Sequence, residues 1–434
     1  MPWLPKCGVI DTARDRLSST RQPTTNEVER ACVRRLPRQF RVGIRRQLSA
    51  LERGQLQTAK TRRRHRRPIS EDTQGMRATC ATIHLGALRE NLRRVRELAP
   101  GARVMAVVKA DGYGHGLERV ARALEGADAF GVAAIADGQR LRAAGVSQRI
   151  VVLSGLDEPA DLAELRRLKL DTVVHHEAQI EMLAAEHDPR PLRVWLKLDT
   201  GMHRLGFAPE RARDAYARLR ALPSVDRDIT LMTHFANSDV FDDASTTQQI
   251  ERFERNVSGL DGERSLSNSA GILGWPEAHG QWVRAGGALY GISVVSGKIG
   301  SDFGFRPAMT LSTRLIAINR VRRGERVGYA GTWEAPEDMP VGIAAIGYGD
   351  GYPRHAEAGT PVLINGVRAD LIGRVSMDLI TLDLRSTPEA KIGDGVVLWG
   401  RGLPVEDIAA HADTIGYELT CGVTRRVRFV EDDG

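Results

Sequence analysis

At 434 residues and 42% apolar, the chain is long enough for two or three domains around a large core, and no apolar run approaches the roughly 18 residues that a membrane span needs. Its formal charge of +7 is uneven: residues 1–75 hold 18 Lys and Arg against 7 Asp and Glu, whereas residues 76–434 hold 44 against 48. The basic character therefore belongs to the leader, and the composition of the remainder argues against a nucleic-acid partner.

The leader carries TRRRHRRP near residues 61–68 with scattered Pro, Ser and Thr and little apolar periodicity, so it is expected to be disordered. It lacks the apolar h-region of a secretory signal, and its seven acidic residues do not suit an organelle transit peptide. The abrupt change at Met76 predicts a native start there, with residues 1–75 a non-native extension. Cys7, Cys32, Cys80 and Cys421 show no C-x-x-C spacing, so neither a disulfide framework nor a metal site is indicated, and a reducing, cytoplasmic setting is the default.

From Met76 a strand is followed by an amphipathic helix with Leu85, Leu88, Leu92, Val95 and Leu98 on one face. Eight β-rich runs come next: RVMAVVKA, DAFGVAAI, RIVVLSG, DTVVHH, RVWLKLDT, DITLMTHFA, a weaker SLSNSAG, and VRAGGALYG. Helix-like segments separate nearly all of them, including STTQQIERFERNV at 245–257. This alternation predicts an α/β fold with a (β/α)8 barrel over residues 76–310. From 311 to 434, LSTRLIAINRV, VGIAAIGY, TPVLING, LIGRVSMDLITLDL and GDGVVLWG read as short strands punctuated by Gly and Pro, a smaller all-β domain.

The chemistry begins at VVKADGYGHG, residues 107–116. A lysine at the mouth of a buried strand is partly desolvated, which makes its neutral, carbonyl-attacking form accessible. Gly112, Gly114 and Gly116 allow positive φ or close approach to a phosphate, and Tyr113 offers a phenolic donor. Such a lysine alone is more often a snorkelling surface residue. In a parallel barrel, however, sites form at the C-terminal strand ends, and this chain concentrates polar residues there. Lys109 closes strand one, Lys197 and Arg204 flank strand five, and His234 ends strand six. Asn268 and Ser269 end strand seven, and Arg284 with Gly286 and Gly287 belongs to strand eight.

On these motifs the chain resembles the alanine racemases, bacterial enzymes that use pyridoxal 5′-phosphate to interconvert L- and D-alanine. VVKADGYGHG, LKLDTGMHRLG, IGYGDGYPR, GRVSMD and GYEL occur in the family's order across residues 76–434. The resemblance implies that Lys109 forms the internal Schiff base and acts as one of two acid/base groups on the aldimine. The other is implied to be Tyr329, contributed across a head-to-tail homodimer, with His234 and Arg284 networked to it. Arg284 matches the arginine facing the pyridine nitrogen; a guanidinium can hydrogen-bond there without giving up a proton. Arg204 is implied to lie near the substrate carboxylate, and Lys197 matches a lysine often carbamylated. Tyr113, Asn268, Ser269, Gly286, Gly287 and Tyr417 carry over to the cofactor's binding residues. Met377, Asp378 and Tyr348 carry over to the substrate side and its entry.

The same resemblance implies D-alanine supply for peptidoglycan. Alternatives are a broader-specificity racemase of the same fold and a barrel-type amino-acid decarboxylase, whose site cysteine Cys421 does not match. Ser265, where the family commonly has histidine, and Gly349, in place of a common alanine, depart from the pattern without removing a catalytic group.

Overall fold

The computed structural model describes residues 78–434 apart from Pro189. The expected extension over residues 1–75 lies outside the described residues.

The first strand, β1 (Cys80–His84), leads into the expected helix, Leu85–Leu98, which buries Leu85, Leu88, Leu92 and Val95. The eight runs that follow become β2 (Arg103–Val107), β3 (Ala129–Val132), β4 (Arg149–Val152), β5 (Asp171–Val174), β6 (Val194–Lys197), β7 (Thr230–Met232), β8 (Arg264–Ser265) and β9 (Trp282–Ala285). All pair in parallel, in the order β8-β7-β6-β5-β4-β3-β2-β9. The amide of Arg284 donates to the carbonyl of Ser267 at 3.0 Å, and that of Gln281 to Arg264 at 3.1 Å, which brings β9 against β8 and closes the ring. The (β/α)8 barrel read from the sequence is present. Helices cover the outside, so the strands are buried on both faces and read as continuous apolar runs.

Inside the ring, Met105, Ala129, Val151, Val173, Trp195, Met232 and Trp282 form their own buried layer, one side chain from each of seven strands. Trp195 and Trp282 lie with ring centroids 5.5 Å apart, and their indole N–H groups reach Asp171 at 3.3 Å and Glu263 at 2.8 Å. A filled interior leaves the C-terminal strand ends as the place where a ligand can enter.

The chain then builds β10 (Met309–Val321), β11 (Arg326–Val327), β12 (Trp333–Glu334), β13 (Met339–Ala344), β14 (Pro361–Ile364), β15 (Val367–Ile372), β16 (Ile380–Asp383), β17 (Gly395–Trp399) and β18 (Arg428–Asp432). These make the expected β-rich second unit, with two departures. First, β1 is a strand of this sheet: it pairs antiparallel with β10, Cys80 opposite Ser312, and parallel with β18, Cys80 opposite Arg428. Second, LIGRVSMDLITLDL is two strands. The chain leaves β15 at Gly373, whose φ of +66° suits glycine, and regains the sheet at Ile380. Between them the carbonyls of Ser376 and Met377 accept the amides of Tyr348 at 3.1 Å and Gly349 at 2.9 Å. Among the described residues no helix is long and apolar enough to cross a membrane.

Candidate active site

The segment after β2 folds back in an uncommon way. Ala110, Asp111, Gly112, Tyr113 and Gly114 have φ of +54°, +54°, +63°, +52° and +79°, a continuous left-handed turn that includes three residues with side chains. Each such residue costs about 1 kcal/mol or more, so the surroundings must hold it. Amides of Gly112 and Gly114 donate to the carbonyls of Val108 and Ala110 at 2.9 and 3.0 Å. The Asp111 carboxylate accepts from the Leu117 amide at 3.2 Å and from Arg140 at 2.7 Å. The turn places Lys109 and Tyr113 on the wall of a cleft of about 970 Å³ at the C-terminal ends of the barrel strands.

Lys109, Tyr113, Lys197, Arg204, His234, Asn268, Ser269, Arg284, Gly286, Gly287 and Tyr417 all line this one cleft. Lys109 is open to the cleft, yet the protein around it removes enough hydration to lower its pKa, and Arg204 adds to the effect. Lys197 is buried rather than an exposed strand-end lysine; burial first, then Arg284 and Arg204, bring it down to about 8. His234 is held well below its ordinary value by burial and by Arg284, so it stays neutral. Its Nδ1 accepts from Arg284 Nη2 at 3.3 Å.

Arg284 is buried, and burial brings it down to about 10, so it remains a cation at neutral pH. Nη1 donates to the Ser265 carbonyl at 2.7 Å and to its hydroxyl at 2.8 Å; Nη2 donates to the carbonyls of Thr233 at 2.7 Å and Leu266 at 3.1 Å. Ser265, at the position where histidine was the expected residue, thus grips Arg284 directly. The Nη hydrogens being engaged, Nε–H is the guanidinium donor without a partner among the described residues.

A second wall of the cleft is lined by hydroxyls and backbone amides. Ser269 Oγ accepts from the amide of Gly286 at 2.8 Å, and Asn268 Oδ1 caps the helix Ser269–Gly274 by accepting from Gly271 at 2.9 Å. Tyr113 stacks on Tyr290, centroids 4.7 Å apart, and meets Tyr417 edge-on at 5.7 Å. Burial pushes the Tyr113 phenol up to about 12 and that of Tyr417 higher still, so both remain protonated donors. Tyr417 Oη is buried with no partner among the described residues. A Cβ at Gly286 would meet Tyr113 Oη at 2.7 Å, and one at Gly287 would meet the Tyr417 ring at 2.3 Å, so glycine at both positions keeps the hydroxyls in place. A phosphate offers acceptors to these hydroxyls, and a carbonyl carbon offers an electrophile to Lys109; the residues present fit pyridoxal phosphate.

The described residues lining this chain's cleft do not include Tyr348, Met377 or Asp378, nor Tyr329, which was expected from a partner subunit. They lie in the β-domain, and Tyr329, Met377 and Tyr348 are exposed, Tyr329 at 66% of its surface. Asp378 is bound by Arg426, which also approaches Asp350 at 3.5 Å. Leu153 and Tyr290 were missed from the sequence. Leu153 ends an apolar run without polar chemistry, and Tyr290 works from behind, its hydroxyl donating to the Val107 carbonyl at 3.1 Å. A smaller cavity of about 380 Å³, lined by His115, Tyr290, Trp399 and Glu406 among others, carries none of the cationic side chains.

The depressed pKa of Lys197 has a stability consequence. The unfolded chain, near 10.5, binds more protons than the folded chain between about pH 8 and 10.5, so stability rises with pH across that window, by up to roughly 3 kcal/mol. In carbon-dioxide-free buffer, urea midpoints of the parent should gain on those of Lys197→Met over that range. Parallel profiles would contradict the assignment.

Comparison with known proteins agrees with this geometry. The family model described as alanine racemase, N-terminal domain, matches residues 83–294, and that described as alanine racemase, C-terminal domain, matches residues 308–431. The chain is 50% identical over 352 residues to an alanine racemase of Shewanella sediminis, covering 81% of this chain and 98% of that protein. It is 52% identical over 347 residues to one of Nitrosococcus oceani, covering 80% and 97%. Among solved structures, the biosynthetic alanine racemase of Pseudomonas aeruginosa superposes with a TM-score of 0.80 at 44% identity, over 82% of this chain and all of that one. The chain belongs to the alanine racemase family of isomerases.

Proposed function

We propose that this protein interconverts L- and D-alanine with pyridoxal 5′-phosphate, in the cytoplasm, as a head-to-tail homodimer that supplies D-alanine for peptidoglycan. The observation that carries the reading is the convergence of a desolvated lysine, a carboxylate-free cage around Arg284 and an unpartnered buried hydroxyl, Tyr417 Oη, in one cleft of a chain of this family. The division into an extension over 1–75, a barrel over 76–310 and a β-domain over 311–434 belongs to the same reading, with β1 contributed to the second sheet.

Bound pyridoxal phosphate would supply the conjugated cation that stabilises negative charge at the substrate's α-carbon. Lys109 Nζ would hold it and would take or return the substrate's α-proton on one face. Tyr329 of the partner subunit does so on the other face, which accounts for a site tyrosine exposed in the single chain. Arg284 would offer the ring nitrogen a hydrogen bond while keeping its own proton, so the bound group would supply a weaker electron sink, which favours reprotonation at the α-carbon over transamination. The Tyr113, Tyr417 and Ser269 hydroxyls and the Gly287 amide would hold phosphate, with the Gly286 amide orienting Ser269 Oγ and Asn268 capping the helix that Ser269 begins. Arg204 orients the substrate carboxylate. Met377 and Asp378 would line the substrate side and Tyr348 would narrow entry, reaching a cleft from the partner subunit as Tyr329 does, since the described lining of this chain's own cleft does not include them.

Lys197 is suited to carbamylation. Its amine is partly neutral near pH 8, and the carbamate anion it would form lies in the field of Arg204, Arg284 and Lys109. The added negative charge would orient Arg204.

The direct test is racemisation by the purified full chain with alanine, serine and lysine, with and without added pyridoxal phosphate. Cofactor-dependent racemisation with alanine as the best substrate is expected. Faster turnover of serine or lysine favours a broader racemase, release of carbon dioxide a decarboxylase, and no turnover despite bound cofactor refutes the reading. In a second experiment, Tyr329→Phe should slow exchange of the α-proton of L-alanine more than that of D-alanine. Equal losses would remove Tyr329 as one base of a two-base pair.

A further inference from the structure

Behind the cleft sits His115, a fully buried residue with no part in the chemistry above. It closes the left-handed turn that begins after Lys109. A one-turn helix leaves its last carbonyls without amide partners from a following turn, and burial makes that costly. His115 supplies what is missing: Nδ1 lies 2.8 Å from the carbonyl oxygen of Tyr113 and 3.1 Å from that of Gly112, and its own amide donates to Gly112 at 3.0 Å. Carbonyl oxygens only accept, so Nδ1 carries the proton. Nε2 is buried without a partner among the described residues, as suits a lone pair in a neutral ring. Burial lowers the imidazole pKa to about 4, which keeps this tautomer uncharged across the physiological range.

The ring also grips the turn by packing. His115 lies against Tyr290, centroids 4.7 Å apart, and Tyr290 in turn stacks on Tyr113 at 4.7 Å. One residue thus braces Tyr113 twice, through its carbonyl and, by way of Tyr290, through its ring. The other side-chain fastener, Asp111 with Arg140, is at the surface, where an ion pair contributes little.

We propose that His115 is the positioning residue of the Lys109 turn: its Nδ1–H, shared between two carbonyls, fixes the left-handed backbone that aims Lys109 and Tyr113 into the cleft. The proposal rests on reading Lys109 as the residue that holds pyridoxal phosphate. It separates two conservative replacements. Asparagine places an amide N–H where Nδ1 lies, whereas glutamine reaches the position of Nε2 and leaves the Tyr113 carbonyl without its side-chain donor, the Gly112 carbonyl keeping only the backbone amide of residue 115.

The test uses the full chain stripped of cofactor and titrated with pyridoxal phosphate, with binding followed by the absorbance of the bound form and turnover measured separately. His115→Asn should bind within about threefold of the parent, and His115→Gln roughly tenfold or more weaker, with a matching loss in turnover. If the two variants behave alike, whether both weak or both normal, the proposal is overturned. Should either variant fail to fold, nitrogen NMR of the parent decides: a neutral Nδ1–H tautomer at His115 supports the proposal, and an Nε2–H tautomer overturns it. A parent that does not bind pyridoxal phosphate at all defeats the reading of Lys109, and this proposal with it. Normal parental binding with indifference to the replacement defeats His115 alone.

Discussion

Positive charge gathered in a half-buried cleft is the constraint on which the candidate site depends. Lys109, Lys197, Arg204 and Arg284 act on one another through space, and none forms an ion pair among the described residues. Such an arrangement is unfavourable unless an anion occupies it, some amines give up their protons, or both. The structure has provision for each outcome. Lys109 and Lys197 are shifted towards the neutral amine, His234 is neutral, and the glycines and phenols of the second wall present donors to an anion. Arg284 stays a cation because a guanidinium keeps its proton at neutral pH, and every partner around it is an acceptor without a charge.

The barrel and the β-sheet divide the work differently from a simple two-domain picture. The barrel supplies the cationic wall and the filled floor beneath it, whereas the sheet supplies exposed tyrosines that the same chain's cleft does not use. Among the described residues β1 joins the sheet before the chain enters the barrel, so barrel and sheet are tied at both ends of the barrel's sequence. An exposed Tyr329 that the described lining of its own chain's cleft does not include is what the proposed homodimer would require.

Much of this was legible from residue patterns because it rests on local physics. Strands buried on both faces must be apolar throughout, so eight such runs between helical stretches announced the barrel, and polar residues just past their ends announced the cleft. What escaped depends on distant or conformational facts. Nothing in CATIH says that it will pair with residues 309–312 and 428–432 rather than join the barrel. LIGRVSMDLITLDL has strand composition throughout, yet the loop Gly373–Leu379 turns its carbonyls to the amides of Tyr348 and Gly349. Glycines at 112, 114 and 116 signalled positive φ, but Ala110, Asp111 and Tyr113 adopt it too, against their own preference. His115, in the same motif, carried no sign that it would be the brace, since its role exists only once that turn has formed.

One amine in this crowded cationic cleft would meet the cofactor's aldehyde. Loading the full chain with pyridoxal phosphate, reducing it with borohydride and mapping the modified peptide by mass spectrometry identifies it directly. A single pyridoxyl-modified lysine, Lys109, is expected. Modification of Lys197 instead, or none at all, would contradict the assignment of Lys109.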